Sequence, residues 1–197
     1  MRRRILSLMP EFELGLWNAW IFMGPSLLLT LFALHLLKEK GAPGGAEGPP
    51  LSKPTLLFFI VSKFIYFAAV AYSVFLPLKL GTIWLYVGLP IMLIGLVGFM
   101  VILLNWANTP TGEPVTRGLY RYSRHPMYVT SFFLLLGVSI ASASWVFLLF
   151  PIIEAAGAAY FIEMEETLTL RHYGDAYREY MNRTPRWIGI PKSEKRN

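Results

Sequence analysis

Apolar positions along this chain come in long continuous runs, and the polar residues collect between the runs instead of alternating with them. The runs are Leu14–Leu37, Thr55–Leu76, Thr82–Leu104, Met127–Ala141 and Trp145–Ile162. A bilayer core about 30 Å thick takes about 20 mostly apolar helical residues, so the pattern predicts membrane-crossing helices. Gly24 and Pro25 interrupt the first run, as membrane helices tolerate. Met127–Ala141 is short for a crossing and is expected to be tilted or shielded by protein. Ser142-Ala143-Ser144 between the last two runs is too short for anything but a tight turn, which predicts a helical hairpin. The Gly- and Pro-rich stretch GAPGGAEGPP predicts a loop after the first run. From Glu163 the chain turns to charge and tyrosine, predicting an amphipathic, partly helical cap outside the membrane that Gly174 and Asp175 break in two. The expected fold is therefore all-α: an integral membrane helical bundle of about five transmembrane helices with a C-terminal hairpin and cap. It divides into three N-terminal spans, 1–104, and a polar-flanked C-terminal region, 105–197.

Composition agrees, since the 197 residues are 55% hydrophobic and only 15% charged, against about 25% charged in soluble proteins. Disorder is excluded on the same ground. The net charge of +6 is no nucleic-acid footprint, because the basic residues bracket apolar runs instead of forming a stripe. Without cysteine there is no disulfide or thiolate site, and no metal site is expected. Arg2, Arg3 and Arg4 look superficially like the start of a signal peptide, but the run behind them is too long for one. Five spans put Arg2, Arg3, Arg4 and Lys79 on one side. Lys38, Lys40, Lys53, Arg117, Arg121, Arg124, Arg171, Arg178, Arg183, Arg186, Lys192, Lys195 and Arg196 fall on the other. The excess predicts that the first loop, the third loop and the C-terminus are cytoplasmic.

Candidate chemistry lies at the two polar ends of the last hairpin, which must meet if the hairpin returns to the same face. Tyr120, Arg124, His125, Pro126 and Tyr128 enter it, and Glu163, Glu165, Glu166, Arg171, His172 and Arg183 leave it. Guanidinium and imidazole grip a carboxylate, and glutamates accept from an ammonium or from sugar hydroxyls. A mixed-charge ligand suits such a set; S-adenosylmethionine has all of these groups, as do other cofactors.

GLYRYSRHPMY, followed about forty residues later by EMEETLTLRHYGDAYREYMNRTPR, resembles the isoprenylcysteine carboxyl methyltransferase and phospholipid methyltransferase superfamily of integral membrane enzymes. The shared pieces are Arg124-His125-Pro126-Met127-Tyr128, Glu165-Glu166 and Tyr173-Gly174-Asp175-Ala176-Tyr177-Arg178-Glu179-Tyr180, within about Asn105 to Pro191. The resemblance implies S-adenosylmethionine as cofactor and a lipid or prenylated substrate entering from the bilayer, with O- or N-methylation by in-line transfer. It implies cofactor contacts from Asn105, from Gly112, Glu113, Pro114 and Val115, from Tyr120, from His125, Pro126, Met127 and Tyr128, and from Glu165. Arg124, Glu166 and Arg183 are the expected catalytic residues. Two positions depart from the family pattern: Thr130 replaces a glycine, and Phe161 replaces the arginine that grips a substrate carboxylate. A carboxylate is ionised at pH 7 and needs a cationic clamp, whereas an ammonium of pKa near 10 must first lose a proton to a base. With Phe161 in place an amine or another neutral nucleophile gains weight, while Arg183 leaves a carboxylate open.

Plainer roles stand beside these. Arg117 and Arg121 read as positive-side anchors. Tyr173, Tyr177 and Tyr180 recur at helical spacing and read as an interfacial aromatic face. Glu165 and Glu166 point to different faces of a helix, so one of them need face a ligand. Lys63 reads as a side chain that snorkels to the interface. A membrane reductase holding NADPH and a non-enzymatic membrane protein are the rival functions.

Overall fold

The computed structural model describes residues 13–40 and 53–192. The Arg2–Arg4 triplet, the whole GAPGGAEGPP stretch, Lys195 and Arg196 lie outside them. Six α-helices carry the described chain: α1 Trp20–Lys40, α2 Lys53–Ser73, α3 Ile83–Ala107, α4 Pro126–Ala141, α5 Trp145–Tyr173 and α6 Asp175–Arg183. A 3-10 turn at Gly118–Arg121 precedes α4. Among the described residues α1, α3 and α5 are long and apolar enough to cross a membrane, and shorter apolar helices occupy Ile60–Ser73 and Pro126–Ala141. Bulky apolar residues such as Leu28, Phe64 and Ile94 are exposed on the outside of the bundle, where lipid replaces water as solvent. The protein is an all-α integral membrane bundle.

Small residues bring α3 and α4 into backbone contact. A side chain on Gly88 would fall on the backbone of Gly137 and Ala141, one on Gly95 on Leu134, and one on Gly137 on Met92. Without a hydrophobic drive between helices in lipid, such close approach supplies the van der Waals contact that holds them. Ser144 turns the chain from α4 into α5, its Oγ accepting the Phe147 N–H at 3.1 Å.

Two buried clusters fill the two ends of the bundle. One gathers Ala19, Met23, Ala69, Leu76, Met92, Val138 and Phe147; the other gathers Leu36, Ile102, Trp106, Val115, Tyr120, Tyr177 and Tyr180. The first takes the start of α1 with the end of α2 and the end of α4 with the start of α5, which is the antiparallel arrangement that short connections dictate.

Three expectations change. The apolar residues before Trp20 are not helical. Ala19 N–H donates to Leu76 at 2.8 Å and Leu78 N–H to Trp17 at 3.0 Å, so that segment pairs with the loop after α2. The first part of the expected cap is no separate element, because α5 runs without a break from the fifth apolar run through the charged stretch to Tyr173. Its 29 residues reach about 43 Å, longer than a bilayer core of about 30 Å, so its last turns project beyond the core. Finally, Tyr177 and Tyr180 are core residues instead of an interfacial face. The predicted break is present: Gly174 has φ 57°, a left-handed conformation that glycine adopts without steric cost, and it separates α5 from α6.

Candidate functional site

The 3-10 turn, the N-terminus of α4, the projecting end of α5 and the segment after α6 converge on one end of the bundle. Pro126 opens α4, where its missing N–H costs nothing and its fixed φ suits the first turn. His125 stands just before it, buried, with its backbone N–H donating to Ser123 Oγ at 3.1 Å.

Glu166 is the hub. His125 Nε2 donates to its Oε1 at 3.1 Å, and Arg124 Nη2 lies 3.1 Å from the same oxygen. Arg186 grips both oxygens, Nε at 3.2 Å and Nη2 at 2.7 Å. The Glu166 side chain is only 4% exposed, so the carboxylate is held inside the protein by three cationic or imidazole groups. A bidentate guanidinium of this kind gives both strength and a fixed orientation. The carboxylate in turn keeps the Arg186 guanidinium above its already high ordinary pKa through their hydrogen bonds.

Glu165, its neighbour in sequence, faces elsewhere. Its side chain is 38% exposed, Tyr128 OH donates to its Oε2 at 3.0 Å, and His125 Nδ1 lies 3.8 Å from that same oxygen. The Glu-Glu pair therefore splits into a buried anchor and a half-open carboxylate. Burial, and then the charge of Glu165, push the Tyr120 phenol far above its ordinary pKa, so a neutral phenol stands in reach of that carboxylate's field.

The segment after α6 is strapped across the Arg124–His125 corner. Arg124 N–H donates to Pro185 at 3.0 Å and Gly189 N–H to Tyr122 at 3.0 Å. Tyr180 OH donates to the buried carbonyl of Tyr120 at 2.7 Å. Arg186 and Pro185 are thus structural partners of the site that the sequence did not single out, and Tyr180, expected on an interfacial face, joins them. Only a pairing of the tail with the His125 region, invisible in local spacing, distinguishes Arg186 from the other tail cations.

The remaining expected site residues divide. Val115 is buried with Trp106, Tyr120 and Tyr180, whereas Gly112, at φ 87°, and Glu113 form an exposed turn with Pro114 half-buried beside it. Met127 packs against the same cluster as Val115. Asn105, at the end of α3, has a buried Nδ2 with no hydrogen-bond acceptor among the described residues, and the same holds for Arg124 Nε. Arg183 pairs with Glu179 at 3.6 Å on the exposed side of α6, and the tail guanidinium that reaches Glu166 belongs to Arg186. Phe161, one turn before Glu165 on α5, packs edge-on to Tyr160 with ring centroids 4.8 Å apart.

A family model described as phospholipid methyltransferase matches residues 105–176, from the end of α3 to the first turn of α6. The resemblance read from the His-Pro and Glu-Glu motifs is borne out over that segment. No curated protein gives a significant match to the chain.

Proposed function

We propose that this chain, whose residues 105–176 match the phospholipid methyltransferase family, is a membrane methyltransferase that moves a methyl group from S-adenosylmethionine to a lipid or lipid-like molecule held in the bilayer. The observation that carries the reading is the split of the glutamate pair. Glu166 is consumed in holding Arg124, His125 and Arg186, which leaves Glu165 half-open with Tyr128 at the end of the bundle. An acceptor carboxylate so placed suits the ammonium or the ribose hydroxyls of a nucleoside cofactor.

The residues present fit that group. Asn105 Nδ2 and Arg124 Nε are buried donors in want of acceptors, an arrangement that native proteins reserve for special sites, and the cofactor's carboxylate and ring nitrogens are acceptors. In this reading Asn105, the Gly112–Val115 turn, Tyr120, His125 to Tyr128 and Glu165 bind the cofactor, which supplies an electrophilic methyl on sulfonium.

Methyl transfer is an in-line displacement, so the protein's work is to hold the acceptor atom and the methyl carbon within about 3–3.5 Å. Arg124 and Glu166 serve as positioning residues: their ion pair fixes the His125 ring and the start of α4, and with them Tyr128. Arg186 ties the tail to the same hub. Phe161 offers the acceptor an apolar wall instead of a cationic clamp, which favours an amine or another neutral nucleophile on a lipid over a carboxylate. Glu165 is the carboxylate with a free side, able to accept a proton from such an amine. The orientation proposed from the basic residues puts this end, and the C-terminus, in the cytoplasm.

Calorimetry with S-adenosylhomocysteine tests the reading. The purified chain is expected to bind it, and Glu165→Ala to weaken binding about ten-fold or more while the fold persists. Stabilisation by NADPH with no response to S-adenosylhomocysteine would move the protein to the reductase class.

A further inference from the structure

A second carboxylate lies deep within the bundle, away from the Glu166 hub. Glu154 sits on α5 about 13 Å beyond Trp145, near the middle of a core about 30 Å thick. Ser131 on α4 points its Oγ at both Glu154 oxygens, 2.8 Å and 3.0 Å away. Lys63 lies on α2 between Ser62 and Ile65, which line the cavity beside Glu154. Ionisable side chains at this depth are expensive and rarely kept without a task.

A cavity of about 90 Å³ opens beside Glu154, between α2 and α5, lined by Ser62, Ile65, Tyr66, Leu135 and Ile153 among others. Val61 and Ile153 at its edge are exposed on the outer, lipid-facing surface, so the cavity is reached sideways from the bilayer. The Tyr66 hydroxyl is engaged away from it by Ser26 and Thr30 of α1, at 3.0 Å and 3.1 Å. The polar character of the cavity therefore comes from Glu154 and Ser62. A carboxylate offers about four lone-pair sites, and the single proton of Ser131 cannot fill them.

We propose that this cavity is a lateral binding site for a neutral lipid carrying one hydroxyl, whose O–H donates to Glu154 while its chain lies against Ile65, Leu135 and Ile153. The charges choose among ligands. Lys63 stands on α2 between the cavity-lining Ser62 and Ile65, so an ammonium brought to the cavity meets a like charge, and a fatty carboxylate meets Glu154 itself. A hydrocarbon leaves the carboxylate's free lone pairs empty in a medium without water. A hydroxyl fills one of them and brings no charge to desolvate. The site lies on the same face of α5 as Glu165, about three turns or roughly 16 Å away, and is separate from the proposed methyl-transfer end.

The test uses the purified full chain in nanodiscs without any cofactor, so its outcome is independent of the methyltransferase reading. The probes are hexadecanol and hexadecane, each carrying a diazirine on the chain. The alcohol is expected to label residues 61–66 or 153–157. Unlabelled hexadecanol should compete, and hexadecylamine and hexadecanoic acid should not. Glu154→Leu should lower labelling about ten-fold or more, the effect of one lost charge-assisted hydrogen bond. If that variant does not fold, Gly157→Leu fills the cavity and should produce the same loss; if neither folds, competition on the unaltered chain decides. Equal labelling by the hydrocarbon, better competition by the amine or acid, or undiminished labelling in a folded variant overturns the proposal.

Discussion

His125 Nε2 and Glu166 Oε1 meet at 3.1 Å across 41 residues of sequence, which makes the two ends of the α4–α5 hairpin one site. Arg124 and Arg186 converge on the same carboxylate, so one buried anion organises the start of α4, the end of α5 and the tail. Removing that anion leaves the surrounding cationic groups without their partner. Glu166→Ala is expected to lower stability by about 3 kcal/mol or more, the scale for breaking a buried ion pair from one side. Thermal unfolding in detergent reads the effect; a melting temperature within a degree of the unaltered protein would deny Glu166 its organising role.

Tyr128 and Glu165 give the complementary case, because the half-exposed carboxylate holds up little of the fold. Tyr128→Phe deletes the O–H that donates to Glu165 at 3.0 Å. We expect S-adenosylhomocysteine affinity to fall about ten-fold, because Glu165 loses the donor that orients it, while the melting temperature moves only slightly, since a pair open to solvent on one side adds only about 0–1 kcal/mol to the fold. Loss of stability with affinity intact would make the tyrosine a packing residue.

The α3–α4 contact is the mechanical base of the site. A methyl on Gly137 would land on the backbone of Met92. Gly137→Ala should destabilise the chain by about 1–3 kcal/mol, the range for overpacking a close contact. A comparison with Gly24→Ala controls for helix propensity, as Gly24 has open space around it.

Alkaline pH should loosen this end. Burial holds the phenols of Tyr120, Tyr177 and Tyr180 above their ordinary pKa. A group whose folded pKa is raised contributes stability that is complete below the unfolded value, about 10 for tyrosine, and is lost as pH climbs beyond it. Melting temperature is therefore expected to be insensitive to these phenols at neutral pH and to decline above about pH 10. Tyr177→Phe should flatten that decline, and an unchanged alkaline slope would refute the assignment.

Much of this architecture is legible in sequence because lipid imposes simple length and polarity rules. The Ser142–Ser144 turn, the Gly174 break and the meeting of His125 with the acidic stretch all follow from hydrophobic runs and one glycine. What local pattern cannot show is where backbone hydrogen bonds go at the bundle's edge. Leu14, Leu16 and Trp17 are as apolar as a span, yet Asn18 and its neighbours pair with the loop after α2. Nor does composition reveal that the charged helical stretch continues α5 without a break, its buried Glu166 being satisfied by the tail and not by a change of fold. The choice of Arg186 over Arg183 is of the same kind: both are tail cations, and only the Pro185–Arg124 backbone contact decides which one reaches Glu166.

The central claim, methyl transfer to a bilayer molecule at the Glu165 end, is tested by reconstituting the chain with a total lipid extract and methyl-labelled S-adenosylmethionine. The account predicts label in one lipid fraction with the unaltered protein and almost none with Glu165→Ala. Label that stays in the aqueous phase while the protein remains folded and the lipids intact would contradict it.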